Sequence, residues 1–165
     1  MLTKSNRIQP PIRRCDQKAR PGDRLLTALD LCATDYSVLM TARYFFSSFA
    51  NPNEASWMSV ILSSEDFFPN HCNSPAIVQS VLRVVHAIRT SRKSMLRFSN
   101  PHCLDCNNIV TAAECHFIAI LAHVRSGNFS SATTHAMLLC EGNDMTGVLG
   151  AVTRLTELTA DTRYV

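Results

Sequence analysis

The stretch Thr111-Ala112-Ala113-Glu114-Cys115-His116-Phe117-Ile118-Ala119-Ile120-Leu121-Ala122-His123-Val124-Arg125-Ser126-Gly127 decides the fold class of this chain. Thr111 and Glu114 have the spacing of a capping box. The hydroxyl accepts from the amide three residues on, and the carboxylate reaches back to the amide of the cap. Phe117, Ile118, Leu121 and Val124 recur at three and four residues, which places them on one helical stripe. Gly127 supplies the left-handed stop. A helix over 111–126 follows.

Downstream, a short connection leads to a predicted helix at 130–141 carrying Ala132, Ala136, Leu139 and Cys140, ended by Gly142. Its small alanines suit close antiparallel packing on the helix before it. The pair has the look of a tetratricopeptide hairpin, but an array needs about three units and no second copy is present. Asp144 caps a last helix with Val148, Val152, Leu155 and Leu158. Gly147 and Gly150 weaken that helix by about 1 kcal/mol each relative to alanine, or admit a neighbour closely.

Upstream, Ser74-Pro75 opens a helix with a capping hydroxyl and a proline at the first helical position. Ile77, Val78, Val81, Val84, Val85, Ile88, Met95 and Leu96 share one face, so the pattern predicts a helix to about 97. Asp23 is placed to cap a long first helix through Leu25, Leu29, Cys32, Tyr36 and Leu39. That helix turns densely aromatic at Tyr44, Phe45, Phe46 and Phe49, and Asn51-Pro52-Asn53 stops it. Asn53 then caps a second helix with Trp57, Val60, Ile61 and Phe67 or Phe68. No two-residue apolar alternation bounded by hairpin turns is present. The expected fold is all-α: a single-domain bundle of about six helices over 23–160, after a basic N-terminal arm at 1–22 without a fixed fold. A chain of 165 residues suits one domain.

Charged residues make up 18% and apolar residues 46%, against roughly 25% charged in average domains. Such a lightly charged surface is expected to rest partly against a protein partner. Cations gather at the start: Lys4, Arg7, Arg13, Arg14, Lys18, Arg20 and Arg24 face only Asp16 and Asp23 in that segment. Arg83, Arg89, Lys93 and Arg97 add a basic stripe on the 75–97 helix, with no acid between residues 67 and 104. With Arg13 and Arg14 it offers a nucleic-acid or acidic surface site. The plainer reading is a solvated face. No apolar run is long enough to span a membrane, and no secretory signal core is visible. The seven cysteines, odd in number and without a signal, point to reduced thiols and a cytoplasmic location.

The one chemical motif is Cys103-x-x-Cys106, in a Pro101-bounded loop directly before the Thr111 box. Two thiolates at this spacing can reach one tetrahedral ion, but a single pair is half a zinc site. Cys140 stands at the end of the returning helix and is the expected third ligand. His102 is a neighbouring fourth; His135 is another. Cys72 and His71 lie at the far end of the 75–97 helix, some 33 Å away at 1.5 Å per residue. Glu114, engaged in its box, is a poor ligand. A redox dithiol is the alternative, since Cys106 precedes a helix N-terminus that lowers a thiol pKa. The βαβ setting of thioredoxin-like motifs is missing. Incidental thiols are the plain alternative to both.

The segment Arg97-Phe98-Ser99-Asn100-Pro101-His102-Cys103-Leu104-Asp105-Cys106, the Thr111–Glu114 box and Leu139-Cys140-Glu141-Gly142 resemble parts of a small alphaproteobacterial family of helical proteins with an NPxCxxC segment. The resemblance covers about the C-terminal 70 residues. It implies a helical fold, draws Cys103, Cys106 and Cys140 together, and implies no activity. His116 and His123, seven apart, share one helical face. No HExxH, nucleophile elbow or glycine-rich phosphate loop is present. The sequence therefore favours a non-catalytic regulatory or adaptor protein that binds a macromolecule, with zinc as a structural staple. A thiol redox protein and a nucleic-acid binder stand as alternatives.

Overall fold

The structure, a computed structural model, describes residues 18–160. Arg13 and Arg14, with most of the arm, lie outside the described residues. The all-helical expectation holds. Among the described residues the α-helices are α1 (Ala33–Ala50), α2 (Ser56–Leu62), α3 (Ser64–Phe67), α4 (Ser74–Ser91), α5 (Leu104–Asn107), α6 (Ala112–Arg125), α7 (Phe129–Leu139) and α8 (Thr146–Ala160). Two short strands, β1 (Arg24–Leu25) and β2 (Ile109–Val110), pair antiparallel, with Arg24 opposite Val110 and Leu25 opposite Ile109.

Helix α4 is the axis of the core. It packs along α8 on one side and against α1, α2 and α3 on the other, while α6 packs on α7 and α8. Val81, Val84, Val85 and Ile88 of its apolar face are fully buried. Asn73, not Ser74, caps it by accepting from Ala76 N–H, because the Ser74 hydroxyl donates to the Phe68 carbonyl instead; Pro75 sits in its first turn. The α6–α7 hairpin forms as its signals dictate. Both arms of the capping box are made, Gly127 has φ +73°, and Ala132 and Ala136 are fully buried. Gly147 faces Ala87 of α4 at an ordinary van der Waals distance, and Gly150 faces open space.

Three boundaries differ from expectation. Helix α1 begins at Ala33, not after Asp23, because the chain first pairs with β2 and makes a 3₁₀ turn at Leu26–Ala28. The Asp23 carboxylate instead accepts from Ala112 N–H at the start of α6 and pairs with Arg97 at 2.7 Å. It caps a helix distant in sequence rather than the next one. The predicted second helix breaks at Ser63 into α2 and α3. Asn53 does not cap α2; Ala55 holds that position, and Trp57 N–H donates to Ser48 Oγ.

Helix α4 stops at Ser91 rather than near 97, because Glu141 offers better partners. Its carboxylate accepts from Lys93 and Ser94 N–H, both at 3.1 Å, pairs with Arg92 at 2.8 Å, and takes the Ser94 hydroxyl. Arg92 also donates to Leu139 C=O. Beyond this clasp the chain is not helical. Met95 becomes 86% exposed while Leu96 packs on the core, so the shared face predicted for them is lost.

Candidate functional site

The most site-like surface runs along α4. Helix α1 is apolar on more than one side at its C-terminal end. Phe45 and Phe46 enter the core, but Phe49 is left 39% exposed. Helix α2 is short and buries only Ser56 and Val60, leaving Trp57 and Ile61 at 45% and 46% exposure. On α4, Leu82 lies out of phase with the buried valine stripe and is half-buried.

These residues build a chain of hollows. One of 470 Å³ is lined by Phe45, Ile61, Pro75, Val78 and Leu82. The next, 320 Å³, shares Phe45, Ile61 and Leu82 and adds Phe49, Pro52 and Trp57. A third, 260 Å³, shares Phe49 and continues past Arg89 to Lys93 and Met95. The result is an apolar groove with a basic end. Pro75, Gln79, Leu82, His86 and Arg89 are spaced at three and four along α4, hence on one stripe. The Arg89 guanidinium lies 3.7 Å from the Phe49 ring centroid. From Pro75 to Ser91 the helix runs roughly 25 Å at 1.5 Å per residue.

A second cleft, 660 Å³ and more polar, is lined by Ser47, Asn51, Glu54, Ser56, Ser59, Phe98, Asn100 and His102. In it Ser56 Oγ lies 3.1 Å from His102 Nε2, and Ser47 donates to Glu54 at 3.3 Å. The acid therefore engages a serine, not the imidazole. The ring is held edge-on to Tyr44, 5.2 Å between centroids. A hydroxyl beside an imidazole is one part of a nucleophile–base–orienter set, and the third group is not supplied by Glu54.

The expected zinc set is not assembled. Among the described residues, no three His, Cys, Asp or Glu side chains stand together so as to hold a metal ion. Cys103 Sγ accepts from Cys106 N–H and caps the short α5, so the CxxC spacing serves a helical turn. Cys106 and Cys140 are both fully buried, Cys140 within the apolar core, and His102 faces the polar cleft. The basic stripe is also largely engaged. Arg92 and Arg97 hold Glu141 and Asp23, and Arg89 covers Phe49; Arg83 and the Lys93 side chain are exposed.

One feature gave no pattern in the sequence, and one was visible there only as two histidines on a shared helical face. Arg43, alone in an apolar run, is fully buried. It donates to both oxygens of Glu114, at 2.8 and 3.1 Å, and to Asn107 and Ile109 carbonyls. A lone arginine amid aromatics was the available signal. The other is an imidazole cluster. His135 of α7 lies between His116 and His123 of α6, its Nδ1 2.9 Å from His116 Nδ1 and its ring stacked on His123 at 5.4 Å. Burial, then the neighbouring ring, holds both His116 and His135 below the ordinary histidine pKa.

Comparison of the chain with family models, curated proteins and solved structures finds no match. No helix among the described residues is long and apolar enough to cross a membrane.

Proposed function

We propose that this protein is a non-catalytic adaptor whose α1–α2–α4 groove receives an amphipathic helix of a partner protein, with acidic residues flanking the partner's apolar face. The observation that carries this reading is the continuity of the three hollows through Phe45, Phe49, Ile61 and Leu82, ending at Arg89. Helix-in-groove recognition uses apolar anchors at i, i+3 or i+4, and i+7 laid into such a groove. The groove length accommodates four to five turns of helix, at about 5.4 Å each. The absence of acids along residues 67–104, with Arg83, His86, Arg89 and Lys93 beside or beyond the groove, favours a negatively charged partner.

Trp57 is the sole tryptophan and lines the groove, so its emission reports occupancy directly. Titration with a synthetic helical peptide bearing leucines at i, i+4 and i+7 and glutamates on the flanks is expected to blue-shift Trp57 emission saturably. A lysine-flanked twin is expected to bind at least about tenfold more weakly, a difference that shrinks at high salt. Ile61→Glu and Leu82→Glu remove binding while retaining helical content. Equal indifference of Trp57 to both peptides would end the proposal. Retention on duplex DNA or RNA in place of peptide binding would turn the reading to nucleic acid.

A further inference from the structure

We propose that the α6–α7 hairpin carries a two-histidine site for a divalent transition metal, with Nδ1 of His116 and Nδ1 of His135 as ligands and copper(II) or nickel(II) as the fitting ions. The two nitrogens come from different helices and stand 2.9 Å apart. A metal–nitrogen bond of about 2.0–2.1 Å makes such a pair subtend about 90° at the ion. That is the angle between neighbouring positions of a square-planar or octahedral ion, and it is narrower than a tetrahedral one. Nitrogen ligands in tetragonal geometry suit copper(II) and nickel(II). Small adjustments of the two rings that keep this separation direct both lone pairs to the ion, and water fills the remaining positions.

The local setting supports ligation over a mere hydrogen bond. The ring of His123 is nearly parallel to that of His135, at 14°, and walls the site on one side. His116, His123 and His135 are all partly exposed, so an ion has access. Imidazole binds metal in its neutral form through a ring nitrogen, and each ligand presents its Nδ1 to the other. Acids on the elements packed around the hairpin are engaged elsewhere: Glu114 by Arg43, Asp35 by Arg125 and Glu157 by Arg154. The site shares no residue with the groove, so the two proposals stand or fall separately.

The experiment uses the full, tag-free chain. Titration with nickel(II) or copper(II) in a calorimeter is expected to give one saturable equivalent, and the ion raises Tm by tying α6 to α7. His116→Gln and His135→Gln each weaken binding by at least about tenfold, while His86→Gln on α4 leaves it unchanged. Copper(II) electron paramagnetic resonance of the unsubstituted protein provides a readout independent of any variant's folding: coupling to two imidazole nitrogens is expected. A sulfur-ligated spectrum, absence of saturable binding, or undiminished affinity in both glutamine variants would overturn the assignment.

Discussion

The guanidinium of Arg43 lies 2.8 Å from the carboxylate of Glu114, with both side chains essentially inaccessible to solvent. Glu114 thereby does three jobs. It closes the capping box on Thr111, accepts from Ser99 N–H, and neutralises the buried cation of α1. The start of α6, the segment at Ser99 and the middle of α1 are fixed to one another by a single carboxylate.

Breaking that pair from one side leaves an uncompensated buried charge. Such losses run at about 3–5 kcal/mol, against a total stability of about 5–15 kcal/mol for a domain. Glu114→Gln and Arg43→Met are therefore expected to lower the urea midpoint severely. Arg43→Lys falls short of rescue, since an ammonium cannot reproduce the two-pronged geometry. Chemical denaturation followed by far-UV circular dichroism checks this; a change of about 0.5 kcal/mol or less for both single variants, the range of ordinary surface changes, would contradict it.

Glycine to alanine has opposite signs at two positions. At Gly127, φ +73° penalises any side chain although nothing obstructs a Cβ, so Gly127→Ala costs about 1 kcal/mol. At Gly150, inside α8 and facing open space, alanine gains about 0.5–1 kcal/mol through helix propensity. Thermal melts of the two variants side by side measure the contrast.

Acid stability depends on Asp23. Burial works to raise its pKa, but hydrogen bonds from Arg97 and from the Arg20 and Ala112 amides outweigh that and hold it below the usual carboxylate range. A carboxyl with a depressed folded pKa stabilises the fold above its unfolded value, about 3.9. The contribution is lost as pH falls through the folded pKa. Asp23→Asn is expected to be less stable at neutral pH and to show a shallower loss below about pH 4, measured as denaturation midpoint against pH.

Arg89 links stability and recognition. Its stacking on Phe49 contributes about 0.5–1 kcal/mol at an exposed position. Arg89→Ala is expected to cost that much and to reduce the salt dependence of binding the glutamate-flanked peptide. Calorimetry at two ionic strengths reads both effects.

What the sequence disclosed was local. The Thr111 box, the Gly127 stop and the valine stripe of α4 depend on neighbours within a few residues, and each is found as read; the α4 entry is displaced by one residue, with Asn73 in the capping role read for Ser74. What it concealed was competition between distant groups. Asp23 caps α6 because β1 carries it there, and Glu141 takes the amides that would have extended α4. The groove was hidden for a related reason. Trp57 and Ile61 read as core by hydrophobicity, but α2 is too short to bury more than two of its residues, and Phe49 at the end of α1 is left 39% exposed. Cys103-x-x-Cys106 has the spacing of a ligand pair and also of a helical turn, and a thiol at a cap position accepts an amide three residues on.

Arg43 and Glu114 are separated by 71 residues of chain. At a synthesis rate of about 5–20 residues per second, the arginine precedes its carboxylate on the ribosome by roughly 4–14 s. Throughout that interval the Arg43 guanidinium is without the carboxylate that neutralises it in the finished fold. The pair that locks the finished protein therefore becomes available only once the start of α6 has been made.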